Sequence, residues 1–118
     1  MPPRKAVPTE AEIQAQCLAY LALGGFVHWR SNTGAARLPG KGGRTRLVRF
    51  GTPGVSDILG VLPGGRFLAI EVKRPGGKVT AEQAAFLGRV RMAGGLALVV
   101  TSLGELREGL RTAGVFAP

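Results

Sequence analysis

One stretch, residues 51 to 73 (GTPGVSDILGVLPGGRFLAIEVK), decides most of what this chain can become. Pro63-Gly64-Gly65 breaks two short apolar runs, Ile58 to Leu62 and Phe67 to Val72. That spacing predicts a β-hairpin, with glycine free to take the positive φ of the turn and Pro63 stopping the first arm. Residues two apart on a strand share a face about 7 Å apart, so Glu71 and Lys73 point the same way and Val72 points the other. If the arms pair about Gly64, Asp57 falls opposite Glu71 on that face. A three-residue loop gives this register; a two-residue loop puts Asp57 on the wrong face unless a bulge corrects it. Two carboxylates and a lysine then converge within a sheet of Ile, Leu, Val, Phe and Ala.

A lone Glu-x-Lys on a strand is more often an exposed ion pair. Here the same face carries Leu59, Val61, Phe67 and Ala69, which is not the composition of a solvated face. Carboxylates among such neighbours need partners or a metal. Carboxylates with a backbone carbonyl are hard oxygen ligands, suited to Mg2+ or Mn2+.

The ordered set Gly54-Val55-Ser56-Asp57, Glu71-Val72-Lys73 and then Gln83 at a helix start resembles the PD-(D/E)-x-K nuclease superfamily. The wording TPGVSDILGVL and GRFLAIEVKRPGGKVTAEQAAFL is similar to the VRR-NUC (virus-type replication–repair nuclease) family, over roughly residues 9 to 111. One departure stands out: the usual proline before the aspartate is Ser56 here, with Pro53 upstream. The resemblance implies a restriction-endonuclease-like α/β core, a mixed central sheet flanked by helices in the order α-β-β-β-α-β-α. It implies metal-dependent hydrolysis of DNA phosphodiesters, structure-specific on four-way junctions or flaps. Asp57, Glu71 and the Val72 carbonyl would hold one or two Mg2+ (or Mn2+), with a metal-associated glutamate on the first helix matched by Glu10. Lys73 would orient the attacking water or stabilise the charge on phosphorus, because nearby carboxylates oppose the lowered pKa a general base needs. Gln83 would orient Lys73 or a water. Small stand-alone members look like junction resolvases, which implies a homodimer, and the family's link to phages makes a viral origin plausible.

Charge supports a polyanionic partner. The 118 residues carry 16 Lys+Arg against 7 Asp+Glu, a net charge of +9, which favours nucleic acid. No acid lies between Glu12 and Asp57, an interval holding Arg30, Arg37, Lys41, Arg44, Arg46 and Arg49. These, with Asn32, Arg74 and Lys78, are the candidate DNA-binding residues; the alternative is a loop that is simply solvated. Asn32-Thr33-Gly34 also resembles an Asn-Thr-Gly wording of the family. Cys17 is the only cysteine, placed in an apolar helical pattern as a core thiol, and His28 is the only histidine, so a zinc site is excluded. No signal peptide or apolar run of about 18 residues is present, which predicts a soluble, cytoplasmic chain without a membrane partner.

In chain order, residues 1 to 8 read as a disordered tail and 9 to 118 as one domain. Thr9 with Glu12 predicts a capping box opening a helix that ends at Gly24-Gly25. Glu10, Ile13, Gln14, Cys17 and Leu21 share one face of that helix. Phe26 to Arg30 reads as a strand, 35 to 45 as a Gly- and basic-rich loop, and Leu47 to Phe50 as a second strand or strand end. Thr80 caps the next helix with Gln83 at the capping-box position; Ala84, Phe86, Leu87, Val90 and Met92 are its apolar contacts. Residues 96 to 101 (LALVVT) read as a strand buried on both faces, joined to the Glu71 strand by a parallel right-handed crossover. A last helix from Ser102 turns Leu103, Leu106 and Leu110 inward. Two other classes remain open: a nucleic-acid-binding module without catalysis, disfavoured because binding gains nothing from acids facing a phosphate, and a structural subunit, disfavoured by the basic loop.

Overall fold

The computed structural model describes residues 6–31 and 34–115. The sequence prediction of a disordered tail falls largely on residues 1–5, outside the described residues, as do Asn32 and Thr33. The elements run α1 (Glu10–Leu23), β1 (Val27–Arg30), β2 (Gly34–Pro39), a short 3-10 turn (Lys41–Gly43), β3 (Thr45–Phe50), β4 (Ile58–Val61), β5 (Phe67–Val72), α2 (Ala81–Met92), β6 (Leu96–Val100) and α3 (Leu103–Thr112). Four strands form the central sheet in the order β1-β4-β5-β6. β1, β4 and β5 are antiparallel neighbours, and β6 lies parallel to β5. This is the mixed sheet flanked by helices that the sequence predicts.

The period-2 alternation of β5 sorts its side chains between two layers. Leu68, Ile70 and Val72 join Ile13, Cys17 and Leu21 of α1 and Leu106 and Leu110 of α3 in the larger core. Ala69 faces the other way, against Leu87 and Val90 of α2 and Ala97 of β6. The alanines let α2 approach the sheet closely. α2 lies chiefly over β5 and β6, with Leu59 of β4 at the margin of its cluster, and on the same side of β1 Val27 and Trp29 are exposed. Glu71 belongs to this second, thinner layer.

Local signals set the helix ends. The Thr9 side chain accepts from the Glu12 N–H at 3.1 Å, but only that half of the expected box forms at α1. At α2 the box is complete: the Gln83 N–H donates to Thr80 Oγ1, and the Thr80 N–H donates to Gln83 Oε1 at 2.8 Å.

The structure corrects three expectations. Residues 35–45 are not all loop. Residues 35–39 enter β2, which pairs along its whole length with β3 in a separate two-stranded sheet, from Gly34 opposite Phe50 to Pro39 opposite Thr45, and only 40–44 form the connecting turn. Leu38 and Leu47 of this hairpin are exposed, and no hydrophobic period announces it. β6 is covered on both faces, by α2 over Ala97 and by α3 over Val100, but it is an edge strand and its burial is incomplete: Val99 is 40 % exposed. Finally, Met92 is 90 % exposed and Ala84 is also exposed, since both lie on the outer face of α2. Cys17 is buried as expected, and burial pushes its thiol up to about 11.

Candidate active site

The site forms where β4 begins and β5 ends. Ile58 pairs with Ile70 and Val61 with Phe67, a register that places Asp57 opposite Glu71. Leu62 and Arg66 close the hairpin across a three-residue loop, with Gly64 and Gly65 both at φ near 90°. The turn chemistry of Pro63-Gly64-Gly65 therefore brings the two acids to one face. Asp57 is fastened at both ends of its backbone and side chain. Its Oδ2 accepts from the Val72 N–H at 2.7 Å, and its carbonyl accepts from the Ser31 N–H at 2.8 Å.

Glu71 is 2 % exposed. Its Oε1 accepts from Gln83 Nε2 at 3.0 Å and lies 3.8 Å from Lys73 Nζ. Its Oε2 is buried without a partner. Burial is the largest cause that pushes the Glu71 carboxyl up, to about 8; facing Asp57 adds to this through charge and hydrogen bonding, Lys73 opposes it, and Glu10 adds to it. A buried carboxylate oxygen without a partner costs about 1–3 kcal/mol. Such an arrangement holds either a proton or a cation at that oxygen.

Gln83 therefore serves two masters at once. Its carbonyl oxygen caps α2 and its amide nitrogen holds Glu71. The sequence reading set these roles as alternatives; one side chain has room for both because oxygen and nitrogen project from the same planar amide. Lys73 shares the face of Glu71, as the alternation predicts, and its side chain is 13 % exposed.

Glu10 stands at the first turn of α1, on the other layer of the sheet. Its Oε1 accepts from the Arg74 N–H at 3.3 Å, which puts it beside the end of β5. It contributes to the field on Glu71 without closing up on the pair: among the described residues no three His, Cys, Asp or Glu side chains form a ready metal cluster. Gln14 is half-buried one turn along. Arg30 ends β1 opposite Ile58, next to Asp57. Arg74 and Lys78 are exposed on the loop between β5 and α2. Arg37, Lys41, Arg44, Arg46 and Arg49 are brought to the β2–β3 hairpin, all exposed.

Two residues of the Gly54-Val55-Ser56-Asp57 segment have surroundings that the sequence did not foretell. Gly54 has φ of +75°, and a Cβ there would lie 2.2 Å from the Glu82 carbonyl oxygen. The loop before Asp57 thus packs backbone to backbone on the first turn of α2 at Glu82 and Gln83. The available signal was the Pro53-Gly54 pair, a turn dipeptide three residues before Asp57. Ser56 is fully buried with its hydroxyl unpartnered, a polar residue where the family pattern has proline. A broad depression lined by Phe67, Phe86, Arg89 and Val90 lies at the opposite end of β5 and contains none of the acids.

The donor set suits a hard divalent cation. Two facing carboxylates, one with a bare buried oxygen, offer oxygen ligands of the kind Mg2+ takes while retaining several waters. A mixed sheet that gathers an aspartate, a Glu-x-Lys and a helix-borne glutamine at one strand end defines a nuclease-like core of the PD-(D/E)-x-K type. The chain belongs to the VRR-NUC family: the family model for the VRR-NUC domain matches residues 9–103 of its 118 residues. No curated protein and no solved structure matches it in the corresponding comparisons. The family makes this a nuclease domain with DNA as its substrate class, and nucleases of this kind generally use divalent metals. No helix among the described residues is long and apolar enough to cross a membrane.

Proposed function

We propose that the chain is a metal-dependent DNA endonuclease whose site is Asp57, Glu71, Lys73, Gln83 and Glu10. The observation that carries this reading is the bare, buried Oε2 of Glu71 beside Asp57. Asp57, Glu71 and the Val72 carbonyl would hold the ion, with Glu10 acting on it through a bound water. A divalent cation bound there supplies Lewis acidity to a phosphoryl oxygen and lowers the pKa of a coordinated water.

The protein's own groups define the rest. Gln83 fixes Glu71 Oε1, so Oε2 keeps one orientation. Lys73, with its Nζ 3.8 Å from Glu71 Oε1, would stabilise negative charge developing on the phosphate. Arg30, Arg74 and Lys78 flank the strand ends and neutralise neighbouring phosphates. A purely DNA-binding role is disfavoured by the same observation, since buried acids facing a phosphate weaken binding. We further propose that the protein acts as a homodimer on branched DNA, one site for each of two strands, with Mg2+ as the working ion.

The test is cleavage of supercoiled plasmid, flap and four-way-junction DNA with and without Mg2+. Cleavage that EDTA abolishes and Mg2+ restores, and that Asp57→Asn and Glu71→Gln both lose, supports the reading. Full activity in EDTA, or full activity in both variants, rejects it.

A further inference from the structure

The β2–β3 hairpin is an oddity of this small domain. An isolated two-stranded ribbon is marginal in water, and β2 and β3 pack substantially only on each other. The radius of gyration is 16.8 Å, against about 13–14 Å for a compact chain of this length. From Arg37 to Leu47 every residue is exposed. Residues 34 to 50 hold five cations and no acid. No ion pair or side-chain hydrogen bond among the described residues engages any of the five.

The cations are not on one side. The register pairs Arg37 with Leu47 and Leu38 with Arg46. Alternation then puts Arg37 and Arg49 on one face and Arg46 on the other. Lys41 and Arg44 occupy the tip, held by the Gly40 N–H donating to the Arg44 carbonyl at 2.7 Å, with Gly42 and Gly43 at positive φ. A ribbon lying flat on a surface needs charge on one face only. A ribbon placed between two phosphate walls needs it on both faces and at the end.

The root of the hairpin is equally specific. Its first leg leaves β1 just after Arg30, and Ser31 bonds to the Asp57 carbonyl. Its second leg returns through residues 51–56 to Asp57. Both legs therefore spring from the strand end that carries the acids. Six residues at about 3.3 Å each reach roughly 20 Å, equal to about six base-pair steps of 3.4 Å.

We infer that the β2–β3 hairpin is an arm that lies in the major groove of duplex DNA immediately to one side of the scissile phosphate. The inference rests on the nuclease reading for where the cut falls. The major groove is about 12 Å wide and admits a two-stranded ribbon; the minor groove, about 6 Å wide, does not. The substrate must then carry a duplex flank of about six base pairs on the hairpin side, whatever branch lies on the other. The arm grips phosphates and reads no particular base.

Dimethyl sulfate probes both grooves at once, through guanine N7 in the major groove and adenine N3 in the minor. The footprint is taken on junction and linear duplex DNA in Ca2+, with wild-type protein, with Lys41→Ala/Arg44→Ala, and with residues 37–47 replaced by Gly-Ser-Gly. Wild type is expected to protect guanine N7 within about six base pairs on one side and to leave adenine N3 reactive. The tip variant is expected to lose the outermost protections and to shrink the slope of log affinity against log salt by about 2. The shortened variant is expected to lose all of them and to keep the helical signal of its circular dichroism spectrum. Protection of adenine N3 instead, or guanine protection that survives the shortening, overturns the inference. So does a shortened variant that turns from dimer to monomer in sedimentation with unchanged DNA affinity, which assigns the arm to a second copy of the chain. Binding is read without cleavage, so a protected groove with no nuclease activity rejects the proposed reaction alone, and cleavage without the footprint rejects the arm alone.

Discussion

The Glu71→Gln substitution in metal-free protein gives a quantitative test of how this site is strained. In the folded chain the Glu71 carboxyl is pushed from 4.5 up to about 8, first by burial and then by Asp57. Below about pH 4.5 both folded and unfolded chains hold the proton. Between about 4.5 and 8 only the folded chain does, so stability is lost as pH rises through that window. From pH 5 to 8.5 the loss from this one group is on the order of 4 kcal/mol, at about 1.4 kcal/mol per pH unit in the middle of the range. For a domain of this size, that is roughly 15 °C in melting temperature. Glutamine has the shape of the protonated acid, can still accept from Gln83 and does not titrate. The variant should therefore match wild type near pH 5 and melt roughly 15 °C higher at pH 8.5. Taking the difference between the two proteins cancels the ionisable groups remote from Glu71. The assay is differential scanning calorimetry in EDTA at half-unit steps of pH. Parallel curves for the two proteins would refute the idea that Glu71 is held in its acid form by its surroundings.

The remaining tests concern residues around the pair. Glu10→Gln should cut turnover at least tenfold while Glu12→Gln changes it little, because Glu12 supplies only its backbone N–H to the cap; single-turnover rates decide the ranking. Gln83→Ala removes the Glu71 contact and half of the α2 capping box and should cost about 1–2 kcal/mol in urea unfolding, with a loss of turnover that Gln83→Asn does not restore, since the shorter amide cannot span Thr80 and Glu71. Gly54→Ala should destabilise by more than about 2 kcal/mol, because it combines a positive φ with a clash on the Glu82 carbonyl; an unchanged urea midpoint would contradict that close approach.

The hairpin and its register were legible because turn chemistry is local. Pro63-Gly64-Gly65 fixes the loop length, and alternation does the rest, so Asp57 opposite Glu71 could be read from spacing. The crossover from β5 to β6 was legible from the length of the helical segment between them. Of the β2–β3 arm only Leu47 to Phe50, within β3, was legible; β2 was not, since Arg37 to Pro39 are exposed and hydrophobic period is the main sign of a strand. Edge position was equally hidden: LALVVT is covered on both faces as it looks, yet nothing in it says that β6 ends the sheet and leaves Val99 exposed. The unpartnered Glu71 oxygen and the contact of Gly54 with α2 depend on how three separated segments dock, which no single segment encodes. The resemblance supplied the roles assigned to Glu10, Lys73 and Gln83; the residue pattern alone offered only an acidic pair and a lysine.

The central claim is that Asp57 and Glu71 exchange a proton for a divalent cation. Isothermal titration of Mg2+ or Mn2+ at pH 7, repeated in buffers of different ionisation enthalpy, measures both halves of that exchange together. The account expects binding with release of close to one proton per protein chain, and loss of both the binding and the proton in Glu71→Gln. Binding without proton release, or binding that survives unchanged in Glu71→Gln and Asp57→Asn, would contradict it.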